Sequence, residues 1–210
     1  ADEDGLGTVT YQWQRGGVDI AGATGSTYTL TQDDVGAVIT VTASYTDDEG
    51  TAESVVSTAT AAVANVNDDP TGSVTISGTV AEDQTLTASH TLADEDGLGT
   101  VTYQWQRGGV DIAGATGSSY TLTQDDVGAV ITVAASYTDD EGTAESVVSS
   151  ATAAVANVND DPTGSVTISG IAKQGHSLTA SHSLSDEDGL GTVVYQWQRD
   201  GVDIACDLLP

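Results

Sequence analysis

Apolar and polar residues alternate along most of this chain. In residues 101–106 the apolar Val101, Tyr103 and Trp105 alternate with polar residues, and residues 129–137 continue the pattern through Ile131 and Val133. Shorter alternating segments surround Val74 and Ile76, Leu86 and Ala88, and Tyr120 and Leu122. A period of two residues predicts strands with one buried face. Clusters of Gly, Asp and Asn separate the segments and no 3.6-residue period is sustained, so we predict an all-β fold.

The strand pattern itself repeats. Residues 1–92 recur as residues 93–184, differing at 11 of 92 positions, and a third copy begins at Ser185. A fixed period of this length indicates an array of one small module. We divide the chain into three copies and number them in this frame from here on. Copy one is partial, at 1–68, and lacks its first strands; copy two is complete, at 69–160; copy three is partial, at 161–210. We interpret the chain as a window on a longer array.

About seven short strands in each copy predict a β-sandwich. The Trp of the Tyr-Gln-Trp-Gln-Arg segment, residues 103–107, falls on the third strand and should fill the space between two sheets. A sugar-stacking role for this Trp is the less favoured alternative. The copy contains no Cys pair to bridge the sheets, so packing, contacts between copies and metal binding are the available sources of stability.

The order Trp105, Gly114-Ala115-Thr116, Tyr120 and Asp126-Val127-Gly128 resembles the immunoglobulin-like repeats of giant bacterial surface adhesins of the RTX type, exported by type I secretion. The segment Asn157–Pro162 resembles the linker of cadherin-type repeats. This resemblance implies tandem immunoglobulin-like β-sandwich modules in a linear array. It also implies an extracellular location on a bacterial surface, in adhesion or biofilm formation.

Charge narrows the possible partners. The net charge is −28, with only four Lys and Arg residues. Nucleic acids and anionic membranes require a basic surface, so we exclude both as partners. No segment has the ~20 apolar residues of a membrane span. The single Cys, Cys206, cannot form an internal disulfide.

The acids are concentrated in a few loops. We letter the strands of a copy A to G in chain order. In a sandwich of the implied topology, the entry linker (67–69), the B–C loop (94–97) and the F–G turn (139–142) lie at the same end of a module. The entry linker carries Asn and Asp, and the two loops carry Asp and Glu. We therefore predict that these segments converge at the junction with the preceding copy. The candidate residues are Asn67, Asp68, Asp69, Asp94, Glu95, Asp96, Asp139, Asp140, Glu141, Asn159, Asp160, Asp161, Asp186, Glu187 and Asp188.

Crowded carboxylates repel one another unless a cation neutralises them. Ca²⁺ binds 6–8 oxygens from carboxylates, carbonyls and amides, whereas Mg²⁺ demands a tight octahedron and Zn²⁺ prefers His and Cys. We predict several Ca²⁺ ions per chain, at the junctions. The alternative is a rim of solvated turns, because Asp-Gly and Glu-Gly are ordinary turn formers.

A second, less favoured ion site would lie at the opposite end of the module. There the A–B loop carries Glu82 and Asp83, and the E–F corner carries Asp125 and Asp126. Copy three has Gln174 and Gly175 in place of the A–B acids, which weakens this prediction. The Asp of an Asp-Val-Gly corner also has an alternative role, as the acceptor of hydrogen bonds from nearby backbone.

No arrangement of residues suggests catalysis. Ser and Thr lack a nucleophile elbow, and the acids lie on turns rather than in a pocket. We therefore predict an extracellular stalk whose partners are neighbouring copies of the repeat, with any cell-surface or glycan target bound elsewhere in the full protein. The first alternative is a subunit of a self-assembling filament or surface layer, in which one chain donates strands to the next. The second is a glycan-binding repeat.

Overall fold

The computed structural model describes residue 5 and residues 7–205, so Cys206 lies outside the described residues. The fold is all-β, and the only helices in the described part are two 3₁₀ turns, Gln32–Asp34 and Gln124–Asp126. None of these helices has the length and apolar character of a membrane span. The strands are β1 Thr10–Arg15, β2 Val18–Asp19, β3 Ile39–Thr46, β4 Ala52–Val56, β5 Val74–Ser77, β6 Thr85–His90, β7 Thr102–Arg107, β8 Val110–Asp111, β9 Ser119–Thr121, β10 Ile131–Thr138, β11 Ala144–Val148, β12 Val166–Gly170, β13 Leu178–His182, β14 Gln198–Arg199 and β15 Val202–Asp203.

The strands form small antiparallel sheets, and the same sheet recurs 92 residues later. One four-stranded sheet has the order β2-β1-β3-β4, and the other has the equivalent order β8-β7-β10-β11. The remaining strands form a three-stranded sheet, β5-β6-β9, and two pairs, β12-β13 and β14-β15. The alternating segments predicted as strands are therefore confirmed as strands, and several small antiparallel sheets are consistent with a β-sandwich.

The chain divides into two compact units that do not follow the repeat. The first comprises Ala1–Val74, His90–Tyr103 and Ala134–Val148, and the second comprises Thr75–Ser89, Gln104–Val133 and Ser149–Pro210. Each unit therefore takes part of the central copy. The module boundaries after residues 68 and 160 stay a prediction.

In the first unit, β1 and β3 are the two inner strands of the β2-β1-β3-β4 sheet. Trp13 of β1 pairs with Val41 of β3, and its ring lies 5.8 Å from that of Tyr28. Trp13 is only half-buried, whereas Ile39 at the start of β3 is buried. One face of this sheet thus leaves apolar side chains accessible.

In the second unit, the equivalent Trp is enclosed. Trp105 is 0% exposed, as are Leu86, Leu122 and Ile131. The indole N–H of Trp105 donates to the carbonyl of Gly117 at 2.9 Å, so the ring is buried without leaving a polar atom unpaired. The prediction that this Trp belongs to the core is confirmed.

A buried aspartate organises the corner that follows β9. Asp126 ends the second 3₁₀ turn and is completely buried. Its carboxylate accepts hydrogen bonds from Arg107 Nε at 2.7 Å, from the Tyr120 hydroxyl at 2.8 Å and from the Thr123 backbone N–H at 2.8 Å. Asp34 makes the same three bonds in the first unit, with equivalent partners. The Asp-Val-Gly corner therefore uses its Asp as an internal hydrogen-bond acceptor.

Replacing each of the two equivalent tryptophans by Ala should show how the loss of stability depends on the burial of the ring. Trp105→Ala removes a completely buried ring and should lower the free energy of unfolding by about 3–5 kcal/mol. Trp13→Ala, at the equivalent position of a half-buried ring, should cost clearly less. Urea denaturation of both variants measures this, and equal losses would contradict the assignment of Trp105 alone to a closed core.

Acid should weaken the corner. Burial raises the pKa of Asp126, but hydrogen bonds from Thr123, Arg107 and Tyr120 outweigh it, so the pKa lies below its ordinary value. A lowered pKa contributes stability above the unfolded-state pKa of about 3.9, and this contribution is lost as the pH falls through the lower folded-state value.

We expect Asp126→Asn to lower the free energy of unfolding at pH 7 by about 3 kcal/mol, because it leaves Arg107 without its charged partner. Denaturation between pH 7 and pH 2 should then show a smaller loss of stability with acid in the variant than in the native chain. Parallel pH curves for the two proteins would refute this.

Candidate cation site at the joints between copies

Two joints connect the copies. The first joint is defined as residues 65–69 together with 94–97 and 139–141, all within the first unit. The second joint is defined as residues 157–161 together with 186–188 and the A–B loop at 81–83, all within the second unit. The fifteen residues predicted as metal ligands lie in these two joints.

In the first joint, Asp96 connects three segments by hydrogen bonds. Its side chain is buried, and one carboxylate oxygen accepts from the Asp68 backbone N–H at 2.7 Å. The other oxygen accepts from the Gln32 side-chain amide, also at 2.7 Å. The entry linker, the B–C loop and the corner of the preceding copy therefore meet at one carboxylate. This convergence is the one that the loop assignment predicted for Asp68 and Asp96.

The other B–C loop aspartate is also held by hydrogen bonds. Asp94 accepts from the Tyr137 hydroxyl at 2.5 Å and from the backbone N–H of Asp96 at 2.9 Å. Burial and the adjacent Asp94 carboxylate raise the pKa of Tyr137, so the hydroxyl stays a donor. These contacts fix the loop, and they occupy both oxygens of Asp94.

The F–G turn brings two more acids to this joint. Asp139 is buried, and one of its oxygens accepts from the Thr143 N–H at 2.7 Å while Oδ2 has no hydrogen-bond partner. Asp140 packs directly against Gly97, where φ is +99° and a side-chain Cβ would collide with the carboxylate. Asp139 Oδ2 is thus an unpaired, buried acceptor.

The remaining predicted residues of the first joint lie at its surface. Asn67 donates its amide to Glu145 at 2.9 Å. Asp69, Glu95 and Glu141 are exposed. The structure gives these exposed acids no geometry that distinguishes a ligand from a solvated turn residue.

The second joint keeps the linker contact of the first. Asp188 accepts from the Asp160 N–H at 2.9 Å, as Asp96 does from Asp68, and Asp186 accepts from the Asp188 N–H at 3.0 Å. Asn159 donates to the carbonyl of Asp160 at 3.0 Å, and Asp161 is exposed. The two joints therefore share their backbone arrangement.

The second joint also brings together three carboxylates from segments far apart in the sequence. Glu82, Asp160 and Glu187 each place a carboxylate oxygen within 4.8 Å of the other two. Glu82 comes from the A–B loop of the central copy, Asp160 from the linker and Glu187 from the B–C loop of the third copy. Three hard oxygen ligands at this spacing can hold a metal ion.

The electrostatics of this triad favour a cation. Burial raises the pKa of Glu82 above its ordinary value, and the charges of Asp160, Asp83 and Asp188 raise it further, against a hydrogen bond from Val158 that lowers it. Burial also raises the pKa of Asp160, together with the charges of Asp188, Asp83, Asp186 and Asp161. Both pKa values are thus raised chiefly by burial and additionally by neighbouring negative charges, which a bound cation would offset.

One further feature of the triad matches a ligand set. Glu82 is only 2% exposed, and it accepts from the Val158 N–H at 3.3 Å and, with the Gln124 amide turned toward it, from that nitrogen at 2.7 and 2.9 Å. Asp160 Oδ2, in contrast, is buried and has no hydrogen-bond partner. A buried acceptor without a donor is costly unless a cation or water completes it. The all-oxygen donor set fits a hard divalent ion.

The sequence interpretation assigned Glu82 to a different cluster. It grouped Glu82 and Asp83 with Asp125 and Asp126, but the Asp126 carboxylate is tied into the corner by Arg107 and Tyr120. Glu82 instead lies beside the exit linker, because its N–H donates to the Ala156 carbonyl at 2.9 Å. The available signal was that the last strand of a module ends beside its own A–B loop.

Asp83 has a conformational role beside this site. Its φ is +61°, in the left-handed region that glycine adopts most easily. Copy three carries Gly175 at the equivalent position, with φ +82°. The Asp-to-Gly difference between the copies is therefore accommodated by the turn itself.

Comparison with known proteins found no matching family model and no matching curated protein.

Glu82→Gln should weaken divalent-cation binding. The substitution removes the negative charge of one of three ligands while keeping its size, and copy three already carries Gln174 at this position. Isothermal titration with Ca²⁺ should show at least about a tenfold weaker site. Asp83→Gly removes the charge of a neighbouring residue that is not one of the three ligands, and it should weaken the affinity clearly less than Glu82→Gln does. Equal weakening by both variants would show that the cation responds to the total negative charge of the joint and not to Glu82 as a ligand.

Proposed function

We propose that this chain is a segment of a non-catalytic extracellular stalk, built from tandem immunoglobulin-like β-sandwich modules and stiffened by Ca²⁺ at the joints between them. In this proposal the stalk belongs to a bacterial surface adhesin, and its immediate partners are neighbouring copies of the same repeat. The observation that carries the proposal is the Glu82–Asp160–Glu187 triad. Its ligands come from one copy, from the linker and from the next copy.

The origin of the three ligands supports a mechanical role. A metal site inside one module stabilises that module, but a site shared by two modules and their linker restrains the angle between them. Without a cation, Glu82, Asp160 and Glu187 repel one another across the joint. When they share a cation, the same carboxylates hold the joint closed. A stalk of this kind would be slack where calcium is scarce, inside the cell, and stiff outside it.

The donor set favours Ca²⁺ over the common alternatives. All three ligands are carboxylates, which Zn²⁺ sites in proteins seldom use alone. Glu187 is exposed, so water molecules can complete a coordination shell of 6–8 oxygens. Mg²⁺ requires a rigid octahedron at shorter distances, and a joint made from three separate segments suits the more flexible Ca²⁺ shell better.

Strand complementation is the second candidate function, and it would cover the apolar side chains of β12, β13 and the β1 sheet. Val74 and Leu86 of the central copy are 5% and 0% exposed, whereas their equivalents in copy three, Val166 and Leu178, are 56% and 42% exposed. In the first unit, Trp13, Tyr28 and Leu30 line an open groove of about 370 Å³. A hairpin with the sequence of β12 and β13, from whichever segment supplies it, matches that apolar face.

Ca²⁺ should change the solution dimensions of this chain. We expect small-angle scattering to give a narrower distribution of radii of gyration in 1 mM Ca²⁺ than in excess EDTA, because the closed joint restricts inter-module angles. The expected midpoint of thermal unfolding is also higher with Ca²⁺, since a ligand that binds only the folded state stabilises it.

Glu82→Gln serves as the control for this measurement and should abolish the response to Ca²⁺, while Asp83→Gly should retain it. Concentration-dependent mass in sedimentation, independent of Ca²⁺, would instead support strand complementation. Unchanged scattering and unchanged unfolding in EDTA would overturn the cation-stiffened stalk.

A further inference from the structure

The corner glutamine of a copy makes a direct contact with the copy that follows it. In the first joint, Gln32 Nε2 donates to Asp96 Oδ1 at 2.7 Å. Asp96 in turn holds the linker through the Asp68 N–H. Two copies and their linker are thereby connected through one carboxylate. The contact needs no metal ion, and nothing in the candidate cation site accounts for it.

Gln32 lies on a 3₁₀ turn whose backbone is held in place by hydrogen bonds. Gln32 is the first residue of the 3₁₀ turn that Asp34 closes, and Asp34 is buried and bonded to Arg15, Tyr28 and Thr31. The backbone at Gln32 is therefore fixed by the core of its own copy. Because this support is rigid, the contact with Asp96 orders the Gln32 side chain without having to order its backbone.

The equivalent glutamine of the second joint faces a different acceptor. Gln124 occupies the same position in the second 3₁₀ turn. When the Gln124 amide is turned so that its nitrogen faces Glu82, this nitrogen donates to the two carboxylate oxygens of Glu82 at 2.7 and 2.9 Å. Asp188, the counterpart of Asp96, is exposed and accepts from the Asp160 N–H. The equivalent side chains of Gln32 and Gln124 thus contact different acceptors.

Glu82 is the acceptor that holds the Gln124 amide in the second joint, and it lies in the A–B loop of the same copy. Glu82 and Asp188 are both charged acceptors, so they compete for this amide. A neutral amide at position 82 would be the weaker acceptor. Copy three carries Gln174 at the Glu82 position, within a block of changes at residues 171–177.

We propose that the corner glutamine is a latch that fastens each copy to the next through the central aspartate of the B–C loop, Gln32 to Asp96 and Gln124 to Asp188. Glu82 holds the Gln124 latch open until its charge is engaged elsewhere. The glutamine–aspartate contact is independent of the proposed function. Only the release of Gln124 by a cation bound at Glu82 rests on it.

The latch predicts that removing a candidate metal ligand tightens the metal-free joint. In excess EDTA, Glu82→Gln should slow hydrogen exchange of the Asp160 amide about tenfold, because Gln124 is free to bind Asp188 and close the joint. The Gln124 side-chain amide resonances should shift at the same time. Asp83→Gly is the matched control and should change neither signal.

Two further variants complete the test by nuclear magnetic resonance. Gln124→Ala in the Glu82→Gln background should return Asp160 exchange to the native rate. Gln32→Ala should speed exchange of the Asp68 amide about tenfold, with and without Ca²⁺. The native chemical shifts of residues in β3 and β10 verify that each variant is folded.

Unchanged Asp68 exchange in Gln32→Ala would overturn the latch, as would unchanged Asp160 exchange in Glu82→Gln. Failure of the stalk proposal gives a different result. In that case Ca²⁺ leaves native Asp160 exchange and the scattering unaltered, while Glu82→Gln still slows Asp160 exchange in EDTA. The two proposals can therefore fail separately.

Discussion

The buried aspartate of the corner is the interaction on which the rest of the structure depends. Asp34 and Asp126 are fully buried charges, and each is tolerated because an Arg, a Tyr and a backbone N–H all point at it. Those bonds attach the corner to an inner strand of the sheet and close the 3₁₀ turn. The turn fixes the backbone of Gln32 and of Gln124. In the first joint, the core of one copy thus sets the position of the Gln32 side chain, which contacts Asp96 of the next copy.

Crowded negative charge is the second constraint, and the two joints answer it differently. In the first joint, hydrogen bonds from Gln32 and the Asp68 backbone satisfy the Asp96 carboxylate. In the second joint, Glu82 and Asp160 lie close together with raised pKa values, and Asp160 Oδ2 has no hydrogen-bond donor. The cation proposed for this joint would offset the repulsion between these carboxylates.

Near-identical sequence does not give identical burial. Trp13 and Trp105 lie in the same Tyr-Gln-Trp-Gln-Arg segment, yet only Trp105 is sealed by the rest of its copy. Most of the differences between residues 69–92 and 161–184 fall in the A–B loop, where Glu82 and Asp83 become Gln174 and Gly175. The loop that varies is the one that contacts the exit linker. Variation along this array is therefore concentrated in the A–B loop, and only isolated changes such as Thr42 to Ala134 fall within strands.

The strands, the buried Trp105 and the corner Asp could be predicted from the sequence, because each depends on contacts that a period of two or a short motif encodes locally. The meeting of the entry linker with the B–C loop, Asp68 with Asp96, followed from the assumed topology of the strands. The membership of Glu82 in a site with Asp160 and Glu187 could not be predicted in this way. Glu82 belongs to one copy and Glu187 to the next. Their separation depends on the path of the exit linker past the A–B loop. Local pattern does not specify that path, whereas the tertiary structure fixes it through the backbone bond from Glu82 to Ala156.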